Sequence, residues 1–375
     1  MSGMKSVSTP LSELPHILLY GEVNSGKSTL FNWLVGQEYA VTSPIAGTTT
    51  DVLYKRIELP EVGPIVLGDT PGIGDGSPLG EKRMAATRVA LRRADLVLVL
   101  QSEEELLDPG LPKFYPNTTF LPLKFSFEEE RETVRRRVVA LIIQALKESL
   151  RHRCESLTGS LAKPGDMVLL VMPQDSAAPK GRLILPQVQM IRELLDKHCI
   201  VVAIQPEELQ TTFMKLKGLP DLVVTDSSLF QSVESQLPPN VPLTSFSVLM
   251  SAYKGDIGRL VEGAKVLSEL PPNAHILIAE ACSHVPTNED IGRVKLPKLL
   301  RQKLGDRLVI SHVNGNDFPT DLSGYQLVIH CGACMMNRNH LLTRQDEAGR
   351  QQVPMTNYGI AIAQLLGILD RVVLP

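Results

Sequence analysis

The feature that constrains this chain most is a short strand feeding a glycine-framed loop and then a helix. His16-Ile17-Leu18-Leu19-Tyr20 is an apolar run of one strand's length, and it leads straight into Gly21-Glu22-Val23-Asn24-Ser25-Gly26-Lys27-Ser28, after which Thr29 to Leu34 read as an amphipathic helix. Strand, GxxxxGKS, helix is a phosphate-binding arrangement. The glycines let successive backbone N–H groups wrap an anion, the helix N-terminus adds its dipole, Lys27 reaches the outer phosphates and Ser28 is placed for Mg²⁺. A chain with this opening is expected to be α/β with a mainly parallel sheet.

The companion segments follow in order. Ile45-Ala46-Gly47-Thr48-Thr49-Thr50-Asp51 precedes a strand from Val52 to Leu59, and Ile65-Val66-Leu67-Gly68-Asp69-Thr70-Pro71-Gly72 comes next. An aspartate leaving an apolar strand into Thr-Pro-Gly is what holding Mg²⁺ from its second side requires. The threonine run suits a segment that closes over the metal and the terminal phosphate. The expected nucleotide site is therefore Asn24, Ser25, Gly26, Lys27, Ser28, Thr29 and Gly72. Ser28, Thr49 and Asp69 are expected on Mg²⁺, and Lys27, Thr49 and Asp69 are the catalytic candidates.

After the strand Asp95 to Leu100 the pattern changes. No Asn-Lys-x-Asp or Thr-Lys-x-Asp occurs anywhere, and Asn117-Thr118-Thr119-Phe120 keeps only the asparagine. Phe120 to Phe127 is expected as the last strand, running into a helix from Glu128 to Leu150. The nucleotide domain, residues 1–150, thus reads as shortened at the edge that would select guanine. In order and spacing these segments resemble the translation-factor-like GTPases, especially the branch with the tRNA-modification and Era-like GTPases. That resemblance implies GTP or GDP with Mg²⁺. Ile73 stands where Ras-type enzymes carry a water-orienting glutamine, and Asn24 stands where potassium-stimulated members hold K⁺, so slow K⁺-stimulated hydrolysis is implied.

Residues 151–165 are polar with Gly and Pro and read as a linker. From Asp166 to about 268 a second α/β unit contains the strands Asp166 to Met172, Ile200 to Ile204 and Asp221 to Asp226, with a loop from Asp175 to Arg182 and a helix from Pro186 to His198. It offers no nucleophile–base pair and no metal spacing, so a dimerisation module is expected.

The remaining unit, 269–375, carries the thiols. His275-Ile276-Leu277-Ile278-Ala279-Glu280-Ala281-Cys282-Ser283-His284 and Val328-Ile329-His330-Cys331-Gly332-Ala333-Cys334 are each an apolar strand running into cysteine with histidine nearby. In an open α/β sheet, ligands collect beyond the carboxyl ends of the strands, so two such ends can surround one metal centre. Three thiolates hold three corners of a [4Fe–4S] cube and leave the fourth iron to another ligand. Three thiolates with one histidine also close a tetrahedral zinc site. Between the motifs, Gly292 to Leu304 is basic and amphipathic and reads as a solvated helix face. No internal repeat is visible.

Five cysteines in 375 residues are too few for a disulfide scaffold, and Cys154 and Cys199 stand alone. Lys and Arg number 38 against 41 Asp and Glu, which argues against a nucleic-acid surface. No apolar run reaches the ~18 residues of a membrane span, and the N-terminus has no signal-peptide pattern, so a cytoplasmic protein without membrane association is expected.

The combination resembles the [FeFe]-hydrogenase maturation GTPase (HydF) family over nearly the whole chain. The matching segments are Gly47 to Asp51, Asp175 to Arg182, Ile278 to Cys282, Val328 to Gly332, and CxH followed by HCxxC. The resemblance implies a homodimeric scaffold with a [4Fe–4S] cluster on Cys282, Cys331 and Cys334. His284 and His330 are candidates for the fourth position or for hydrogen bonds to the cluster. It also implies partners: two radical-SAM maturases that help to assemble a diiron precursor, and the apo-[FeFe]-hydrogenase that receives it. The competing class is a P-loop NTPase with a structural Cys₃His zinc domain, acting as a metallochaperone or with RNA.

Overall fold

The computed structural model describes residues 10–40, 51–73, 80–100, 110–150, 156–173, 183–281 and 290–375. The chain divides into two compact units, 1–153 with 337–343, and 154–336 with 344–375. Among the described residues no helix is long and apolar enough to cross a membrane.

The first unit holds β1 (His16–Gly21), α1 (Lys27–Val35), β2 (Leu53–Leu59), β3 (Gly63–Asp69), α2 (Gly80–Leu91), β4 (Leu96–Leu100), α3 (Leu111–Phe114), β5 (Thr119–Leu123) and α4 (Arg131–Leu150). Its strands form one sheet in the order β2-β3-β1-β4-β5. All neighbours are parallel except β2 and β3. β1 and β4 are buried from end to end because apolar side chains cover both faces, which is why they read as unbroken apolar runs. On one face α1 supplies Leu30, Phe31 and Leu34, and α4 supplies Val134, Val138, Ile142 and Leu146, a stripe of four-residue spacing with no exposed surface. The other face is closed by Ala90, Leu91 and Leu111. α4 begins at Arg131, three residues later than the charge pattern implied. The reason is local: Glu129 Oε1 turns back to accept the Ser126 N–H at 2.8 Å, fixing a turn ahead of the helix.

The second unit contains two sheets. The first comprises β6 (Met167–Val171), α5 (Leu185–Asp196), β7 (Ile200–Ile204), α6 (Leu209–Lys215), β8 (Leu222–Thr225), α7 (Phe230–Glu234), β9 (Leu243–Ser245) and α8 (Phe246–Lys254), with strand order β7-β6-β8-β9. After α9 (Ile257–Lys265) comes the second: β10 (His275–Glu280), α10 (Leu296–Leu304), β11 (Val309–Asn314), β12 (Leu327–His330), α11 (Arg338–Arg350), β13 (Met355–Asn357) and α12 (Tyr358–Leu366). Its order is β11-β10-β12-β13. Every pairing in both sheets is parallel.

The sheets therefore share order, direction and register, which corrects the expectation of no internal repeat. Val171 pairs with Thr225 and Thr225 with Ser245; in the other sheet Ala279 pairs with His330 and His330 with Asn357. Val241-Pro242-Leu243-Thr244-Ser245-Phe246 corresponds to Val353-Pro354-Met355-Thr356-Asn357-Tyr358. In each, the last strand residue caps the following helix: Ser245 Oγ accepts from Val248 N–H at 3.3 Å, and Asn357 Oδ1 from Ile360 N–H at 2.7 Å. These strands are three residues long and partly polar, too short for a period-two pattern to show in sequence.

Candidate functional site

In the first unit β1 and β3 are neighbours and Leu19 pairs with Asp69, so the phosphate loop and the aspartate leave the same edge of the sheet. Ser28 Oγ donates to Asp69 Oδ2 at 2.6 Å. Asp69 is fully buried, and among the described residues its Oδ1 has no hydrogen-bond partner. A buried carboxylate oxygen left in that state is costly, and a divalent cation beside Ser28 and Asp69 would satisfy it. Burial raises the Asp69 pKa, opposed by the Ser28 hydrogen bond and the charge of Lys27. Lys27 Nζ donates to Gly21 O at 3.1 Å and to Glu22 O at 2.6 Å. Its burial lowers its pKa to about 8, against the opposing charges of Asp69 and Glu22.

The loop itself needs unusual backbone. Gly26 has φ +90°, and Asn24, exposed at the loop, has φ +64°, a region asparagine tolerates better than most residues. Gly72 is required for a different reason: a Cβ there would lie 2.6 Å from Val23 Cα. That approach lets Val23 N–H donate to Ile73 O at 3.2 Å and Ile73 N–H to Gly21 O at 3.1 Å, stitching the loop after β3 to the phosphate loop. Ser25 and Thr29 are half-buried on the loop and the first turn of α1. Thr49 lies outside the described residues.

In the second unit β10 and β12 are the two central strands and lie side by side. Cys331 N–H donates to Ala279 O at 2.9 Å, and Ala281 N–H donates to Cys331 Sγ at 3.1 Å. The residue before Cys282 thus already bonds the first thiol of the CxxC. Cys282 and His284 lie outside the described residues, as does the loop 174–182. Among the described residues no three His, Cys, Asp or Glu side chains converge as a metal site. The turn from Cys331 to Cys334 passes through Ala333 at φ +55°, and half-buried Cys334 packs against the apolar core of the first sheet. Burial raises the Cys334 pKa, offset by the charge of Lys254.

Two basic residues that sequence reasoning missed hold this turn. Lys254, at the end of α8 and 1% exposed, donates through Nζ to Cys334 O at 3.1 Å and Met336 O at 2.9 Å, and reaches Ala333 O at 3.4 Å. Arg344, fully buried on α11, donates through Nη1 to His330 Nε2 at 2.9 Å, stacks over Phe318, and bonds Gly315 O through Nη2. Arginine only donates, so His330 carries its proton on Nδ1 and gives it to Cys331 O at 2.8 Å. Burial, with the Arg344 charge, pushes the His330 pKa down to about 3. Both ring nitrogens are engaged in holding the strand end. Neither Lys254 nor Arg344 stands in a motif; only the fold brings them to the thiols. Beside them Glu280 is gripped by Arg293, whose Nη2 and Nε donate at 3.0 and 3.1 Å.

A model described as the hydrogen maturase F dimerization domain matches residues 157–255, and one described as the hydrogen maturase F tetramerization domain matches 258–375. The chain belongs to the hydrogen maturase F family. Its first part, residues 16–121, matches a 50S ribosome-binding GTPase model that ends before Lys124 to Phe127. By their descriptions the two hydrogen maturase F models are domains of dimerization and tetramerization, and the remaining match is a GTPase domain.

Among curated relatives the chain is 43% identical over 86 residues to the tRNA modification GTPase MnmE of Xanthomonas oryzae pv. oryzae, covering 23% of this chain and 19% of that protein. It is 35% identical over 137 residues to MnmE of Zymomonas mobilis, covering 36% and 31%. The chain therefore spans less than a third of those relatives. Among solved structures, an Aquifex aeolicus Era variant bound to GDP.AlF4- aligns with 17% identity and a TM-score of 0.26 over 81% of this chain and 93% of that one. Toc33 from Arabidopsis thaliana with GDP and Mg2+ aligns with 15% identity and a TM-score of 0.22 over 52% and 71%. The α/β fold is shown by the sheet order and the family models.

Proposed function

We propose that this chain carries a [4Fe–4S] cluster on Cys282, Cys331 and Cys334, accepts a diiron precursor and delivers it to an apo-[FeFe]-hydrogenase in the cytoplasm, working with two radical-SAM maturases. The observation that supports this most is the adjacency of β10 and β12, with Ala281 N–H on Cys331 Sγ, because it sets the residue before Cys282 against the first thiol of the CxxC. The donor set fits the cluster: cysteine thiols at the carboxyl edge of a parallel sheet, one already accepting a backbone N–H. When bound, such a cluster supplies an iron with an exchangeable ligand. This chain's residues do the holding. Lys254 fixes the carbonyls of the CxxC turn, and His330, clamped by Arg344, fixes the strand before it, leaving His284 or an exogenous group for the fourth iron.

The nucleotide site is read as binding GTP or GDP with Mg²⁺ on Ser28, Thr49 and Asp69 and K⁺ at Asn24, with slow K⁺-stimulated hydrolysis that times partner exchange. Ser28 Oγ already donates to Asp69 Oδ2, and the charge of Lys27 bears on the same carboxylate. Self-association as a homodimer completes the reading.

The decisive experiment is anaerobic metal analysis of the wild type beside Cys331→Ser. About four irons per chain, absorption near 400 nm that dithionite bleaches, and loss of both in the variant are expected. Colourless protein with about one zinc per chain would replace the cluster reading with a Cys₃His zinc domain.

A further inference from the structure

We propose that the nucleotide site holds its base by stacking on Phe127, backed by Phe125 and Trp33, and takes adenine and guanine nucleotides with similar affinity. The proposal rests on residues 21–28 being a phosphate site. β5 lies two strands from β1, across β4, so its carboxyl end stands roughly 10 Å from the phosphate loop along the same edge of the sheet. That is the reach of a nucleoside from its phosphates. β5 stops at Leu123, earlier than the sequence implied, and the chain that follows is Lys124-Phe125-Ser126-Phe127.

Only the tips of the two phenylalanine rings reach back to the loop. Phe127 Cζ is 2.9 Å and Phe125 Cζ 3.0 Å from where a Cβ on Gly26 would sit. Phe127 is 62% exposed, and its ring meets Phe125 at 5.5 Å and 70°; Phe125 meets Trp33 at 5.5 Å and 63°. Edge-to-face contacts of this kind fix the supporting rings and leave the outermost one open.

Guanine is selected by a carboxylate that accepts from its N1–H and amino group, and the acids of this segment are largely committed elsewhere. Glu129 accepts from Ser126 N–H at 2.8 Å and from Arg137 Nη1 at 2.9 Å, and Glu130 accepts from Thr133 Oγ1 at 2.9 Å. Ser126 Oγ accepts from Glu128 N–H at 3.2 Å. These contacts form the turn into α4. Glu128 is the exposed acid left to test. A site built on edge hydrogen bonds rejects the wrong base by orders of magnitude, whereas stacking tolerates any base because each has a π-face.

The test is calorimetric titration of the full chain with MgGTP, MgATP and magnesium tripolyphosphate, using the wild type, Phe127→Ala, Phe127→Trp and Glu128→Gln. GTP and ATP are expected within about tenfold of each other. Phe127→Ala should weaken both by about tenfold and leave tripolyphosphate unchanged, while Phe127→Trp restores nucleotide affinity. A GTP preference beyond about tenfold, or nucleotide affinities untouched by Phe127→Ala, overturns stacking and leaves the phosphate site standing. Wild type that binds none of the three ligands, tripolyphosphate included, overturns the phosphate site and the stacking with it.

Discussion

The two four-stranded sheets of the second unit share strand order, register and helix caps, yet only one ends in thiols. At corresponding strand ends the first has Thr225-Asp226-Ser227 and the second His330-Cys331-Gly332. In the first, Asp226 Oδ1 accepts from Ser228 N–H at 2.9 Å and Thr225 Oγ1 donates to Val171 O at 3.2 Å, so the polar groups are used up locally. In the second, the same backbone position presents Cys331 Sγ to Ala281 N–H, and His330 is clamped by Arg344 from another helix. The same scaffold thus gives one end that caps itself and one that presents a thiol. Function here depends on which side chains stand at the strand ends and on what supports them from a distance.

Five substitution experiments test the contrast between the two sheets. Lys254→Met should cost the most, because Cys334 O and Met336 O lose the ammonium donor while Ala333 O keeps the Met336 N–H at 3.1 Å; a loss of about 4 kcal/mol of stability by urea unfolding is expected, with Lys254→Arg recovering part of it. Asn357→Ala removes a cap and the Nδ2 bonds to Ser247 O at 3.0 Å and Ser251 Oγ at 2.6 Å, for about 3 kcal/mol. Its counterpart Ser245→Ala should cost about 1 kcal/mol by the same assay, since among the described residues Ser245 adds to its cap only a contact to Ser227 Oγ. Equal costs would mean that the two caps are equivalent. Gly332→Ser installs the first sheet's residue where the nearest atoms to a new Cβ are an ordinary 3.4 Å away, and should shift the apo-protein by less than about 0.5 kcal/mol. Smallest of all, Asp226→Cys with Leu229→Cys writes a CxxC into the first sheet and should add no iron after anaerobic reconstitution. Added iron there would show that strand-end geometry alone suffices.

Much of this was legible in the linear chain. The phosphate loop, Asp69, Gly72 and the apolar runs of β1, β4, β6, β10 and β12 are contiguous patterns, and contiguous patterns survive in sequence because local backbone rules impose them. The short strands β9 and β13, the duplication they reveal, and the supports Lys254 and Arg344 were not legible. A three-residue strand has no measurable period, and a lysine closing one helix looks the same whether it meets water or a buried turn.

The order of residues by itself determined the phosphate loop, the two thiol motifs and an α/β fold with mainly parallel sheets, since each follows from neighbours a few positions apart. Tertiary structure alone decided that the thiol-bearing strands lie side by side, that His330 spends both nitrogens on Arg344 and Cys331, and that aromatic rings rest on Gly26. The physical reason is that these contacts join residues distant along the chain, and their strength comes from burial and complementary geometry that no local pattern encodes.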